Sequence, residues 1–226
     1  LFYIGAIISA FRKLRIYKIA DYLLVIFLIL SLITTLGLFA VVMGWLDVFY
    51  PAVSSHFPLY ILVLLGVVVH NMTSAVFRQS KAGWVWFLPG LSLILISVLL
   101  DGQLIQLPGD PFSIAGEALA ANQIALILLL LSWGGYTILA MLYLRKAGDE
   151  SHRTVVKHRT MYWGAGIILF TGSGVLFFSM RPILGTALLL AAAVTFKYLV
   201  LTYRLPDVLN LFYHLASNLL SGTLAL

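Results

Sequence analysis

Of the 226 residues, 62% are hydrophobic and only 10% charged. A soluble domain carries about 25% charged residues, so a soluble fold is excluded and a membrane protein is expected. The formal net charge of +6 comes without any basic patch interleaved with aromatics, which leaves nucleic acid out as a partner, and the absence of Cys removes disulfides, Cys-ligated metals and thiol catalysis together.

Thirteen of the fourteen Lys and Arg residues fall on one side of a bilayer if the chain crosses it seven times. A span needs about 20 apolar residues. The first candidate, Leu1–Phe11, is too short, starts without Met and ends in the cluster Arg12-Lys13-Arg15-Lys18. It reads as the inner half of a first span, or else as a short interfacial helix. Its basic residues follow the apolar run, the reverse of a signal peptide. Spans two and three are placed near 20–46 and 55–77, joined by the turn Asp47–His56, which has no Lys or Arg.

Span three carries His56 and His70, fourteen residues apart. That spacing suits two stacked haems only if another helix supplies a matching pair. His152, His158 and His214 fall in cytoplasmic segments and cannot. No cofactor and no metal site are therefore expected, and His70 is expected to bond a neighbouring helix as a neutral imidazole. After Arg78 and Lys81, span four is placed near 82–101.

The outer loop 104–117, LIQLPGDPFSIAGE, is broken by Pro108-Gly109-Asp110-Pro111. Span five, near 119–144, holds Trp133 beside Gly134 and Gly135. Small neighbours admit a close helix, so the indole is expected in core packing or at a ligand pocket. The inner loop 145–159, RKAGDESHRTVVKHR, is the most charged segment, with Gly148-Asp149-Glu150-Ser151 as a solvated break. Span six, near 160–179, contains Gly164, Gly166, Gly172 and Gly174, read as a small, close-packing face. Its TGSG at 171–174 has no His partner at matching depth for a serine protease.

The turn SMRP, 179–182, forces a tight hairpin into span seven, near 182–203. Lys197 lies seven residues before Arg204, about 10 Å from the interface, and is expected to snorkel there. A Schiff-base role would need a carboxylate in span three, which has none. Trp84, Trp86, Tyr162 and Trp163 mark inner ends, and Trp45 and Tyr50 mark outer ends, as interfacial aromatics do. Asp21, Asp47 and Asp101 lie at or near span ends, so no carboxylate is expected in the hydrocarbon core. That weighs against proton-coupled transport and against paired carboxylates for acid–base work.

Basic residues resist translocation, so the assignment is N-terminus outside and C-terminus inside, in a cell inner or plasma membrane. The tail 205–226 opens with Pro206, a helix-starting position. Leu205, Val208, Phe212, Leu215 and Leu219 are spaced 3, 4, 3, 4, a heptad seam. The segment is read either as a helix lying on the bundle or membrane surface, or as a parallel signalling helix that makes a homodimer through Val208, Phe212, Leu215 and Leu219. The expected fold class is thus all-α. It is a polytopic membrane bundle of seven spans over 1–204, the first truncated, followed by a cytoplasmic linker helix over 205–226.

Several passages resemble the seven-helix N-terminal sensor domain of bacterial histidine kinases, also found ahead of diguanylate cyclases. They are FRKLR after span one, RKAGDESHRTVVKHRTMYWGAG entering span six, the tight hairpin between spans six and seven, and the exit KYLVLTYRLPDV. The likeness covers nearly the whole chain. The chain departs from it late in span two, where the family often has a polar or acidic residue and this chain reads FAVVMGWLD. No ligand residues carry over from the family.

The resemblance implies a receptor that relays a signal to a cytoplasmic effector domain such as a kinase. The residues themselves provide no catalytic constellation, so an enzyme is not expected. The other reading is a non-catalytic accessory subunit of a larger membrane complex or transporter. A small-molecule or lipid ligand, if polar, is expected under the outer rim, lined by Asp101, Gln123, Trp133 and Arg181. Membrane lipid is the remaining partner.

Overall fold

The computed structural model describes residues 2–13, 19–43, 51–78, 87–101, 113–114, 117–118, 121–149, 154–179 and 181–201. These form α1 (Phe2–Lys13), α2 (Ile19–Val42), α3 (Pro51–Arg78), α4 (Phe87–Asp101), α5 (Ala121–Asp149), α6 (Thr154–Phe178) and α7 (Pro182–Leu201). Between α4 and α5 lie two two-residue strands, β1 (Ser113–Ile114) and β2 (Glu117–Ala118). They pair antiparallel, with Ser113 opposite Ala118 and Ile114 opposite Glu117. Apart from this pair, the described residues form a helical bundle.

Five helices, α2, α3, α5, α6 and α7, are long and apolar enough to cross a membrane. Their outward faces are apolar as well. Leu36, Leu95, Leu131, Ile138, Ile168 and Ile183 are all exposed, more contiguous apolar surface than a soluble monomer shows. The chain is a multi-pass helical membrane protein.

Two expected spans differ. Residues 82–86 lie outside the described ones. The described α4 has 15 residues, about 22 Å at the α-helical rise, against a hydrocarbon core of about 30 Å. At the other boundary, α5 runs on to Asp149 and α6 starts at Thr154. Most of the charged loop expected over 145–159 is therefore helix, and Gly148 and Asp149 close α5 instead of breaking the chain. Arg145 and Asp149, one turn apart, approach to 3.9 Å, a spacing that supports a helix beyond the apolar stretch. The expected linker helix over 205–226 lies outside the described residues.

Helix α3 sits at the centre. It contacts α2, α4, α5 and α6, and 78% of its apolar window is buried against 39% in α2, α5 and α6. Cross-contacts fix the directions of α2 to α7. Gly37 of α2 meets Phe57 of α3, and Phe27 meets Phe170 and Phe196 lower down. Gly66 and His70 of α3 face Trp133 and Tyr143 of α5. Gly164 and Gly174 of α6 face Leu144 and Trp133. Successive helices thus reverse. The ends of α3 and α5 and the starts of α2, α4 and α6 share one end of the bundle, where Arg78, Arg145, Lys146 and Arg159 are found.

With lipid outside, helix association rests on close packing rather than on a hydrophobic drive. Here aromatic side chains seat on glycines. A Cβ at Gly166 would stand 2.8 Å from Phe196, and one at Gly174 would overlap the Trp133 indole. The four glycines of α6 do pack closely, but on two faces. Gly164 and Gly174 receive α5, while Gly166 and Gly172 receive Phe196 and Leu188 of α7. The hairpin is as tight as SMRP predicts. Arg181 N–H donates to the Leu176 carbonyl at 2.9 Å, and its own carbonyl accepts from Gly185 N–H at 3.1 Å. Pro182 takes the first helical position, where a missing N–H costs nothing.

Candidate functional site

Two groups of buried polar residues stand at two levels of α3. At its first level, His56 and Tyr60 stand one turn apart and so share a face. Pro58 between them cannot donate to the preceding turn. Asp101, the last residue of α4, reaches this face. Its Oδ2 lies 2.9 Å from His56 Nδ1 and also accepts the Tyr60 hydroxyl. All three side chains belong to buried residues, with Asp101 only 3% exposed.

A buried carboxylate is costly unless bonded, and here one oxygen takes both partners. Oδ1 has no hydrogen-bond partner among the described residues. The start of α3 favours negative charge nearby, whereas the end of α4 opposes it. The acid is thus held by α3, not by its own helix. An imidazole and a carboxylate in contact can pass a proton between them without moving a heavy atom. That step keeps the net charge and the single hydrogen bond of the pair and exchanges an ion pair for a neutral one across the α3–α4 contact.

Asp101 is at a helix end, as expected, but it is buried among His56 and Tyr60, and Asp21 is buried too. His56 stands out in sequence only by its distance from His70. The signal available was the pair His56 and Tyr60 at i, i+4, whose partner lies 45 residues from His56 and gives no local sign.

Toward the basic end, α3 carries His70, Asn71 and Thr73, all buried. The His70 ring packs between Tyr143 at 5.0 Å and Tyr136 at 6.2 Å, both on α5. Trp163 of α6 donates its indole N–H to Thr73 Oγ1 at 2.9 Å, and Thr73 in turn donates to the Val69 carbonyl. Trp163 is therefore not an interfacial marker. It is fully buried, its one polar atom is satisfied across helices, and its ring lies 5.2 Å from Phe196 of α7. Lys197 is half-buried, with its ammonium 5.9 Å from the Phe2 ring centroid.

Among the four residues expected to line a ligand site, Asp101 has just been placed. Gln123 on α5 and Arg181 at the hairpin are exposed. Asp101 is bonded by His56 and Tyr60 rather than by Arg181. Trp133 is buried at the level of Gly66, ten residues along α3 from His56 and so about 15 Å deeper. It fills a slot between Gly66 and Gly174, with Phe178 at 5.6 Å and Phe170 at 6.4 Å. Gly134 and Gly135, the neighbours that drew attention to it, face nothing within 4 Å. Val208, Phe212, Leu215 and Leu219 lie outside the described residues.

No protein-family model, no curated protein and no solved structure matches the chain.

Proposed function

We propose that the chain is a non-catalytic membrane sensor module that passes a signal from the Asp101 cluster to a cytoplasmic output domain beyond residue 226. In this reading the bundle has seven spans, completed by α1 and α4, with the N-terminus outside and the basic end in the cytoplasm. The cluster then lies toward the outer face.

One observation carries the proposal. Helix α3 connects His56 and Tyr60 at one level with Thr73 at another, seventeen residues and about 26 Å away. From Thr73 the contacts continue to Trp163 of α6 and to Phe196 of α7, and α7 is the helix that leads into 202–226. A change in protonation or occupancy at Asp101 that shifts α3 would bear on α6 and α7 through rigid, buried contacts, as a two-state relay requires. The resemblance of the inner-loop and exit passages to histidine-kinase sensor domains supports the same reading.

The test is the output of the full-length protein in membranes. Asp101→Asn is expected to change autophosphorylation or nucleotide cyclisation several-fold at equal membrane level, with the chain still inserted. Unchanged output overturns the proposal. A reading frame that stops without an output domain also overturns it and favours the accessory-subunit reading.

A further inference from the structure

A groove on the described surface runs between α5 and α6 and ends at a cation. Its upper part, about 510 Å³, is lined by Met141 of α5, Ile168, Thr171, Val175 and Leu176 of α6, and Leu188 of α7. A second hollow of about 340 Å³ shares Met141 and Thr171 and continues along α5 past Thr137 and Leu142 to Arg145. The Thr137 and Thr171 hydroxyls donate to carbonyls of their own helices, so the floor presents methyl groups and no open donor. The groove is apolar throughout until Arg145.

Its length can be read from the helix register. Gly164 faces Leu144 and Gly174 faces Trp133, so Leu176 stands near the level of Leu131, and Arg145 lies fourteen residues below that. The rise gives about 21 Å, which is one leaflet of a core about 30 Å thick plus part of the interface. Around Arg145 the segment 145–159 carries five Lys and Arg against two acidic residues. Among the described residues, the one ion pair of Arg145 is an exposed approach to Asp149 at 3.9 Å, a weak competitor for its guanidinium.

We infer that this groove seats one acyl chain of an anionic glycerophospholipid, with the headgroup phosphate on Arg145 and Lys146. The apolar lining, the one-leaflet length and the cation at one end match an amphiphile of that shape and charge, and basic clusters beside spans recruit such lipids. A second copy of the chain would match the apolar part but has no reason to end at a cation. The bound chain would sit on α5, α6 and α7 together, so lipid composition would act on α5 and α6, which pack against α3, and on α7, which packs against α6.

The test uses the full-length protein exchanged from mild detergent into phosphatidylglycerol or phosphatidylcholine mixed micelles, with retained lipid counted by native mass spectrometry. The wild type is expected to keep one phosphatidylglycerol under conditions that strip phosphatidylcholine. Arg145→Gln with Lys146→Gln is expected to lower that retention about tenfold. Val175→Trp, at an exposed lining position, is expected to block it while leaving the headgroup cations in place. Equal retention of the two lipids, or undiminished phosphatidylglycerol retention in Val175→Trp, overturns the inference. So does a Val175→Cys crosslink between copies that excludes lipid.

Discussion

At the scale of single residues, the bundle depends on a few buried polar atoms and a few glycines. Tyr60→Phe removes one of the two hydrogen-bond partners of the buried Asp101 carboxyl, and hydrogen bonds to charged groups contribute about 1.5–3 kcal/mol. Thermal unfolding in detergent should show a loss of that order, and the loss should shrink when Asp101→Asn is already present. Independent additivity of the two changes would mean that Tyr60 and Asp101 do not interact. The glycines make a sharper distinction. Gly174→Ala should destabilise by about 1–3 kcal/mol through overpacking against Trp133, whereas Gly134→Ala, with open space around it, should be neutral or gain up to about 1 kcal/mol in helix propensity. Equal effects would place Trp133 elsewhere. The sequence marks Trp133 as unusual because of the adjacent Gly134 and Gly135, but the residues that admit it are Gly66 and Gly174, on other helices. Residue choice at a distance leaves no periodic trace, so the tenant was legible and its slot was not. Asp101 shows the same limit. Its place at a helix end was legible, but its burial depends on His56 and Tyr60 of a different helix.

At the scale of elements, apolar runs and turn residues located the helices, while their ends diverged wherever charge and helix coexist. Hydropathy falls at Arg145, yet α5 continues to Asp149, because a helix emerging from a membrane can keep hydrogen-bonding its own backbone and pair charges along its surface. The SMRP hairpin was legible in full, since Pro182 and the short spacing leave a single arrangement. The short β1–β2 pair was not, because two-residue strands inside a Pro- and Gly-rich loop have no alternation to read. The proposed linker helix over 205–226, outside the described residues, carries the most specific forecast. Disulfide crosslinking between copies should be faster for Val208→Cys, Phe212→Cys, Leu215→Cys and Leu219→Cys than for Asn210→Cys, Tyr213→Cys and Ser217→Cys. A heptad seam places only the first set between the helices. Uniform crosslinking at all seven positions, or none, would rule out the seam.

At the scale of the whole molecule, the alternation of α2 to α7 gathers Arg78, Arg145, Lys146 and Arg159 at one end, the end that we propose meets the cytoplasm because basic residues resist translocation. On this Cys-free chain, Ser113→Cys should react with an impermeant thiol reagent in intact cells and Ser151→Cys should react only after permeabilisation. The opposite pattern would invert the orientation. The proposed sensor function rests on coupling between the two ends of the bundle. The most direct measurement is the crosslinking rate of Leu215→Cys in the full-length protein, compared with and without Asp101→Asn and again with Thr73→Val added. A relay through α3, Trp163 and α7 predicts that Asp101→Asn changes the rate about fivefold or more, the lower range of allosteric coupling, and that Thr73→Val abolishes the change. An identical rate in all three backgrounds would contradict it.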